Sequence, residues 1–167
     1  MAKQVLAQED SKVRINFDVL RSTVKSIFER VGVPTQDAEI GADVLVRADL
    51  MGVESHGVSN MLERYVERYK NGLMNPRPKW RITRETPGTA TIDSDQGLGV
   101  IIMPKAMDIA ITKAKNVGVG MVTVGNSRHL GMAVYHAMRA LKHDMIGVLV
   151  KELKSLALDV QLKNAEV

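Results

Sequence analysis

VGMVTVGNSRHLG, residues 119–131, is the stretch on which the fold turns. Val119 to Val124 is short and almost continuously apolar, the composition of a strand buried on both faces of a parallel sheet. Gly125 breaks it, and Asn126-Ser127-Arg128-His129 leads towards a helix predicted near Leu130 to Leu141. A second apolar run, Met145 to Val150, follows that helix, so the three pieces read as a βαβ unit with a right-handed crossover. In open α/β sheets the loop leaving a strand's C-terminal end is where ligands bind, because backbone N–H groups and a helix N-terminus can face an anion there. His129 stands in that loop. An imidazole with an ordinary pKa of about 6.5 exchanges protons near neutrality. Position alone leaves two readings, a proton-transferring histidine and one that only closes the turn.

Upstream, Pro104 suits a first helical position, and Met103, Ala106, Met107, Ala110, Ile111 and Ala114 follow at helical spacing up to Gly118. Trp80 to Thr83 and Thr89 to Asp93 read as strands around Thr86-Pro87-Gly88. The rigid stretch Met74-Asn75-Pro76-Arg77-Pro78 separates this part from a helical one. There, Asn16 caps a helix from Phe17 to about Arg30, and Thr35 caps another to about Leu50, stopped by Gly52. A third starts near Ser59, with Met61, Leu62, Tyr65 and Tyr69 on its apolar face. Ser55-His56-Gly57 is the break between the last two, and on its own reads as an ordinary surface turn sooner than as a site. The organisation expected is a tail over 1–15, a helical segment over 16–76, a partial α/β domain over 77–150 and a helical tail over 151–167.

Composition excludes several functions. Of 167 residues, 45% are hydrophobic and 25% charged, the balance of a globular chain. No apolar run approaches the roughly 20 residues that span a bilayer. There are no cysteines, so disulfides, thiol nucleophiles and thiolate metal sites are absent, in keeping with a cytoplasmic protein. The net charge of +4 is dispersed. Arg64, Arg68 and Lys70 alternate with Glu63 and Glu67, a solvated helix face rather than a nucleic-acid surface. His129, His136 and His143 lie seven apart, too far for chelation from one helix, and read as surface histidines with no metal. The pairs Gly97/Gly99 and Gly118/Gly120 do not complete a dinucleotide fingerprint, since Ile102 and Thr123 occupy the third glycine position.

Several separated segments together resemble the malate/L-lactate dehydrogenase family, whose fold is not of the Rossmann type. They are Asp49-Leu50-Met51-Gly52-Val53-Glu54-Ser55-His56-Gly57, Asn75-Pro76-Arg77-Pro78, Ile92-Asp93 through Gly97-Leu98-Gly99, the helix through Pro104-Lys105-Ala106-Met107, and Gly125-Asn126-Ser127-Arg128-His129-Leu130-Gly131. The resemblance implies an α/β fold, with an N-terminal helical segment followed by part of a mixed α/β cofactor-binding domain. It implies hydride transfer between NAD or NADP and a small 2-hydroxy or 2-oxo acid, in a homodimer. His129 matches the family's proton donor and acceptor, and Ser55 and His56 match a pair lining the substrate pocket. Asn126, Ser127 and His129 are the candidate cofactor contacts. Many members carry an arginine where Asn60 stands here, so substrate binding is expected from Asn60 with Arg64, one turn further on. After Gly147 the resemblance lapses into the helix-like Lys151 to Leu158, and the expectation is a truncated enzyme, or else a remnant that serves only in oligomerisation.

Overall fold

The computed structural model describes residues 13–151. The expected helical tail and most of the N-terminal tail lie outside those residues.

Helix α1, Phe17–Arg30, starts as its sequence dictates: the Asn16 side chain accepts from the N–H groups of Asp18 and Val19. Helix α2 spans Thr35–Leu50 and α3 Val58–Lys70. Thr35 is the first helical residue of α2 and not its cap. Pro34 holds the cap position with an extended ψ of 146°, and its carbonyl accepts from Ala38. All three helices end in paired backbone bonds that satisfy their last carbonyls. After α2, for example, Val53 N–H reaches Ala48 O at 2.8 Å and Gly52 N–H reaches Asp49 O at 3.0 Å, with Gly52 at φ +73°. Val24, Phe28, Ala42, Val44, Leu45 and Tyr65 close the core between these helices.

The sheet has the order β1-β2-β3. Strands β1, Arg81–Glu85, and β2, Thr89–Asp93, form an antiparallel hairpin with an irregular register between Ile82 and Arg84. Helix α4, Gly99–Val117, then crosses to β3, Met121–Gly125, which lies parallel to β2 from Thr89↔Met121 to Asp93↔Gly125. The βαβ unit is therefore β2-α4-β3. The first turn of α4, with Leu98, Val100 and Ile101, also enters the helical core. Sheet, α4 and the helical layer are stacked in that order.

Pro104 is the sixth residue of α4 rather than its first. The helix starts early because the His129 carbonyl accepts from Val100 N–H at 3.2 Å, giving an orphan first-turn donor a partner outside the helix. Beyond β3 the expectations fail in three respects. Strand β3 is only half covered, with Met121 57% exposed. The expected long helix is a short α5, Ala133–Ala137, followed by a 3₁₀ segment, Met138–His143. Residues 145–150 take no regular secondary structure and pair with no strand among the described residues, and Ile146 is 93% exposed. A strand exists only through its ladder, and no neighbouring strand among the described residues offers one.

Candidate active site

Two chain segments converge at the C-terminal end of β3. The first is the break between α2 and α3. Gly57 begins α3, and the Asp49 carboxylate accepts from Val58 N–H at 2.8 Å, capping the helix from nine residues upstream. A Cβ on Gly57 would sit 1.6 Å from Asp49 Oδ1, so glycine is required where the carboxylate docks. Burial, and the nearby Glu54, raise the Asp49 pKa against the opposing pull of the Val58 bond. Asn60 ties the intervening 3₁₀ turn, Glu54–His56, by donating from Nδ2 to Glu54 O at 2.9 Å. The result is a short turn with little freedom, on which Ser55 and His56 are carried.

The second segment is the loop 126–132 between β3 and α5. It is anchored against the start of α4: a Cβ on Gly99 would come within 2.6 Å of Arg128 O and 2.7 Å of His129 O. Arg128 N–H donates to Gly97 O at 3.0 Å. Asn126 has φ +51°, and its amide donates to Asp93 Oδ1, which together with the Asp95 N–H holds the Asp93 pKa down. Ser127 Oγ makes only long contacts, 3.5 Å to Gly97 O and 3.3 Å to Arg128 O.

His56 and His129 meet face to face, with ring centroids 5.4 Å apart and planes 21° from parallel. Ser55 Oγ lies 2.9 Å from His56 Nδ1. Tyr65, on α3, places its hydroxyl 2.7 Å from His129 Nδ1, and Gly131 N–H donates to the same nitrogen at 3.3 Å. Burial lowers the His129 pKa to about 4, helped by His56 and by the positive charges of Lys151, Arg68 and Arg64. His129 is thus a neutral imidazole at pH 7, surrounded by cations. Arg64 and Arg68 are exposed, and neither forms an ion pair among the described residues. Guanidinium groups that are not neutralised by carboxylates are free to hold an anion.

Of the residues singled out from sequence, Ser55, His56 and His129 come together, and Arg64 lies close enough for its charge to bear on His129. Asn60 spends its amide donor on the turn. Asn126 and Ser127 lie on the His129 loop and brace it. Tyr65 was legible only as part of the apolar face of α3; the signal available was that a buried tyrosine hydroxyl needs a partner. His136, expected at the surface, is fully buried: Nε2 meets Leu130 O at 2.7 Å and burial lowers its pKa. It pins the carbonyl next to His129.

At Gly97, Gly99 and Gly120 the backbone packs too closely for a phosphate, and Gly118 closes α4 with φ +86°. A Cβ on Gly97 would lie 2.9 Å from Ser94 O and one on Gly120 1.8 Å from Ala110 O, so the space at these glycines is filled by the protein's own backbone. Among the described residues no group of three His, Cys, Asp or Glu could hold a metal ion, and no helix is long and apolar enough to cross a membrane.

The sequence profile of the family described as malate/L-lactate dehydrogenase matches residues 15–160. The chain is 45% identical over 130 residues to an L-sulfolactate dehydrogenase of Methanocaldococcus jannaschii, covering 78% of this chain and 38% of that protein. It is 45% identical over 140 residues to a malate dehydrogenase of Pyrococcus horikoshii, covering 84% of this chain and 39% of that one. The solved structure of malate dehydrogenase from Pyrococcus horikoshii OT3 superposes with a TM-score of 0.79 at 43% identity, covering 87% of this chain and 41% of that one. The chain therefore spans well under half the length of these relatives.

Proposed function

The chain belongs to the malate/L-lactate dehydrogenase family, and from that membership and the site geometry we propose that it handles the substrate in hydride transfer between NAD(P) and a small 2-hydroxy or 2-oxo acid. The observation that carries this reading is the neutral His129, stacked on His56 at the exit of β3, with the charges of Lys151, Arg68 and Arg64 bearing on it and no ion pair at Arg64 or Arg68 among the described residues.

A nicotinamide cofactor, when bound, gives or takes the hydride at the substrate carbon. What the described residues supply is the proton and the grip on the acid. Oxidising an alcohol releases an O–H proton, and reducing a 2-oxo acid requires one at the same oxygen. His129 is the group placed to exchange it. His56 and Ser55 form the adjoining wall, with Ser55 Oγ fixing the His56 ring. Arg64, assisted by Arg68, holds the carboxylate, and Asn60 contributes by keeping the Ser55-His56 turn in place. Asn126 and Ser127 border the cofactor side of the same loop. Homodimer formation belongs to the same proposal, and the exposed Ile146, Val148 and Val150 favour such association.

The test is NADH or NADPH oxidation by the purified chain with pyruvate, oxaloacetate and 3-sulfopyruvate, alongside ring-proton NMR of its four histidines during titration with L-malate. Turnover that falls about 100-fold in His129→Ala, or malate-induced shifts of the His129 and His56 signals that Arg64→Ala removes, support the reading. Turnover indifferent to His129→Ala, or histidine signals indifferent to every acid, would refute it.

A further inference from the structure

We propose that His136 is a positioning residue: from α5 it holds the Leu130 carbonyl, and so sets where the His129 ring stands in the site. Its bearing on catalysis rests on the reading of His129 as the proton-exchanging group.

The two peptides that follow His129 are fastened in different ways. The first, between His129 and Leu130, is held by backbone alone, its carbonyl accepting from Val100 N–H at 3.2 Å. The second, between Leu130 and Gly131, has no such partner. No backbone N–H among the described residues reaches the Leu130 carbonyl, and His136 Nε2 lies 2.7 Å from it. A carbonyl only accepts, so His136 Nε2 carries the ring proton and donates. That leaves its Nδ1 bare, buried and without a partner among the described residues. A buried nitrogen in that condition costs free energy. An apolar side chain would fill the same space without that cost, but would leave the Leu130 carbonyl free to turn. The fully buried imidazole is accounted for by the donor it brings to Leu130.

What His136 passes on is the fixed position of its helix. A helix as short as α5, Ala133–Ala137, is not stable by itself, and its neighbours hold it on two sides. The Tyr135 hydroxyl donates to Asp43 Oδ2 on α2 at 2.7 Å. Arg139, in the 3₁₀ segment that follows, donates from Nη2 to both carboxylate oxygens of Asp108 on α4 at 2.7 Å. His136 stands between these two anchors in sequence, and its bond ties them to the residue next to His129. Gly131 gives the turn no slack on its other side, since a Cβ there would sit 2.5 Å from Val100 Cγ1. Burial lowers the His136 pKa, so near pH 7 the ring supplies this bond without adding a charge to the site. Displacing a reacting group by about 1 Å can cost about 100-fold in rate, which is why the hold on this loop matters.

NMR of the imidazole rings in the full ¹⁵N-labelled chain tests this in two ways, with His136→Gln assigning the His136 signals. In the wild-type protein, His136 is expected to show a pyrrole-like Nε2 and a pyridine-like Nδ1; the reverse pattern would overturn the assignment. The second measurement is the pKa of His129 in three variants. His136→Leu fills the space without a donor and is expected to raise that pKa from about 4 towards the ordinary value of about 6.5, because a released loop exposes the ring. His136→Gln puts an amide N–H in place of the ring N–H and is expected to return the pKa close to wild type. Val24→Ala, a truncation in the core between α1 and α2, is expected to lower the urea midpoint while leaving the His129 pKa unmoved. A His129 pKa indifferent to His136→Leu, or moved as far by His136→Gln or by Val24→Ala, would refute the positioning role. If His136→Leu does not fold, the wild-type nitrogen pattern still decides. Where turnover is measured, His136→Leu lowers kcat by up to about 100-fold with KM for the acid retained, and His136→Gln recovers most of it. If His129→Gln leaves turnover intact, the proton role of His129 falls while the pKa result stands. If His129→Gln abolishes turnover and His136→Leu moves neither the ring nor kcat, only His136 loses its role.

Discussion

The two ends of the described chain treat their apolar residues in opposite ways. In the helical layer, Val24, Phe28, Val44 and Leu45 are wholly buried, and each helix closes its last carbonyls with its own backbone. Along residues 145–150, Ile146, Val148 and Val150 alternate into solvent, while Gly147 lies against α5 so closely that a Cβ there would sit 2.0 Å from Ala137 O. The first region needs nothing beyond itself. The second exposes its apolar side chains and lies against α5 at Gly147. The candidate site sits where the self-sufficient region braces the open one: α3 supplies Tyr65, and the break before it supplies His56, both touching the loop that leaves β3.

The sharpest way to break this contrast is truncation on each side. Phe28→Ala removes a fully buried ring and is expected to cost about 3–5 kcal/mol, whereas Ile146→Ala is expected to fall within about 0.5 kcal/mol of wild type. Urea unfolding of both variants measures the difference; equal losses would mean that 145–150 is packed after all. Next in size, Asp49→Ala removes the cap of α3 and is expected to cost about 1–2 kcal/mol. The ring signal of His56 should move in the same variant, because the turn that carries it is anchored there.

Acidification sharpens the contrast further. His129 and His136 both have lowered pKa values in the folded chain, so between about pH 6.5 and about 4 the unfolded state binds more protons than the folded one. Their contribution is fully present above the unfolded pKa and is lost as pH falls through that window. Asp49, with its raised pKa, opposes the trend at the acid end. Urea midpoints followed from pH 7.5 to 4.5 should decline, and His136→Leu should flatten part of the decline. The smallest effect expected on the fold is that of Ile146→Lys. It should leave the midpoint unchanged and reduce self-association in sedimentation velocity, since it charges an exposed apolar edge.

What sequence could disclose followed the same division. The Asn16 cap, the bounds of α1, the break at Ser55-His56-Gly57 and the position of His129 after β3 were legible because each is written in neighbouring residues. The start of α4 was not, because its first donor is satisfied by His129, some thirty residues away in the chain. The strand expected at 145–150 was not, because an apolar run suggests a buried strand while only a neighbour supplies the ladder. The burial of His136 and the bond between Tyr65 and His129 are tertiary facts. Helical spacing placed Tyr65 in the core without saying what its hydroxyl would meet.

The central claim, that His129 is held neutral among cations so as to exchange a proton with an anionic substrate, is tested most directly by NMR titration of its ring with and without L-malate. The expected result is a pKa of about 4 in the free chain that rises when malate binds, because a nearby anion favours the charged imidazole. A pKa at the ordinary histidine value of about 6.5, unmoved by malate, would contradict it.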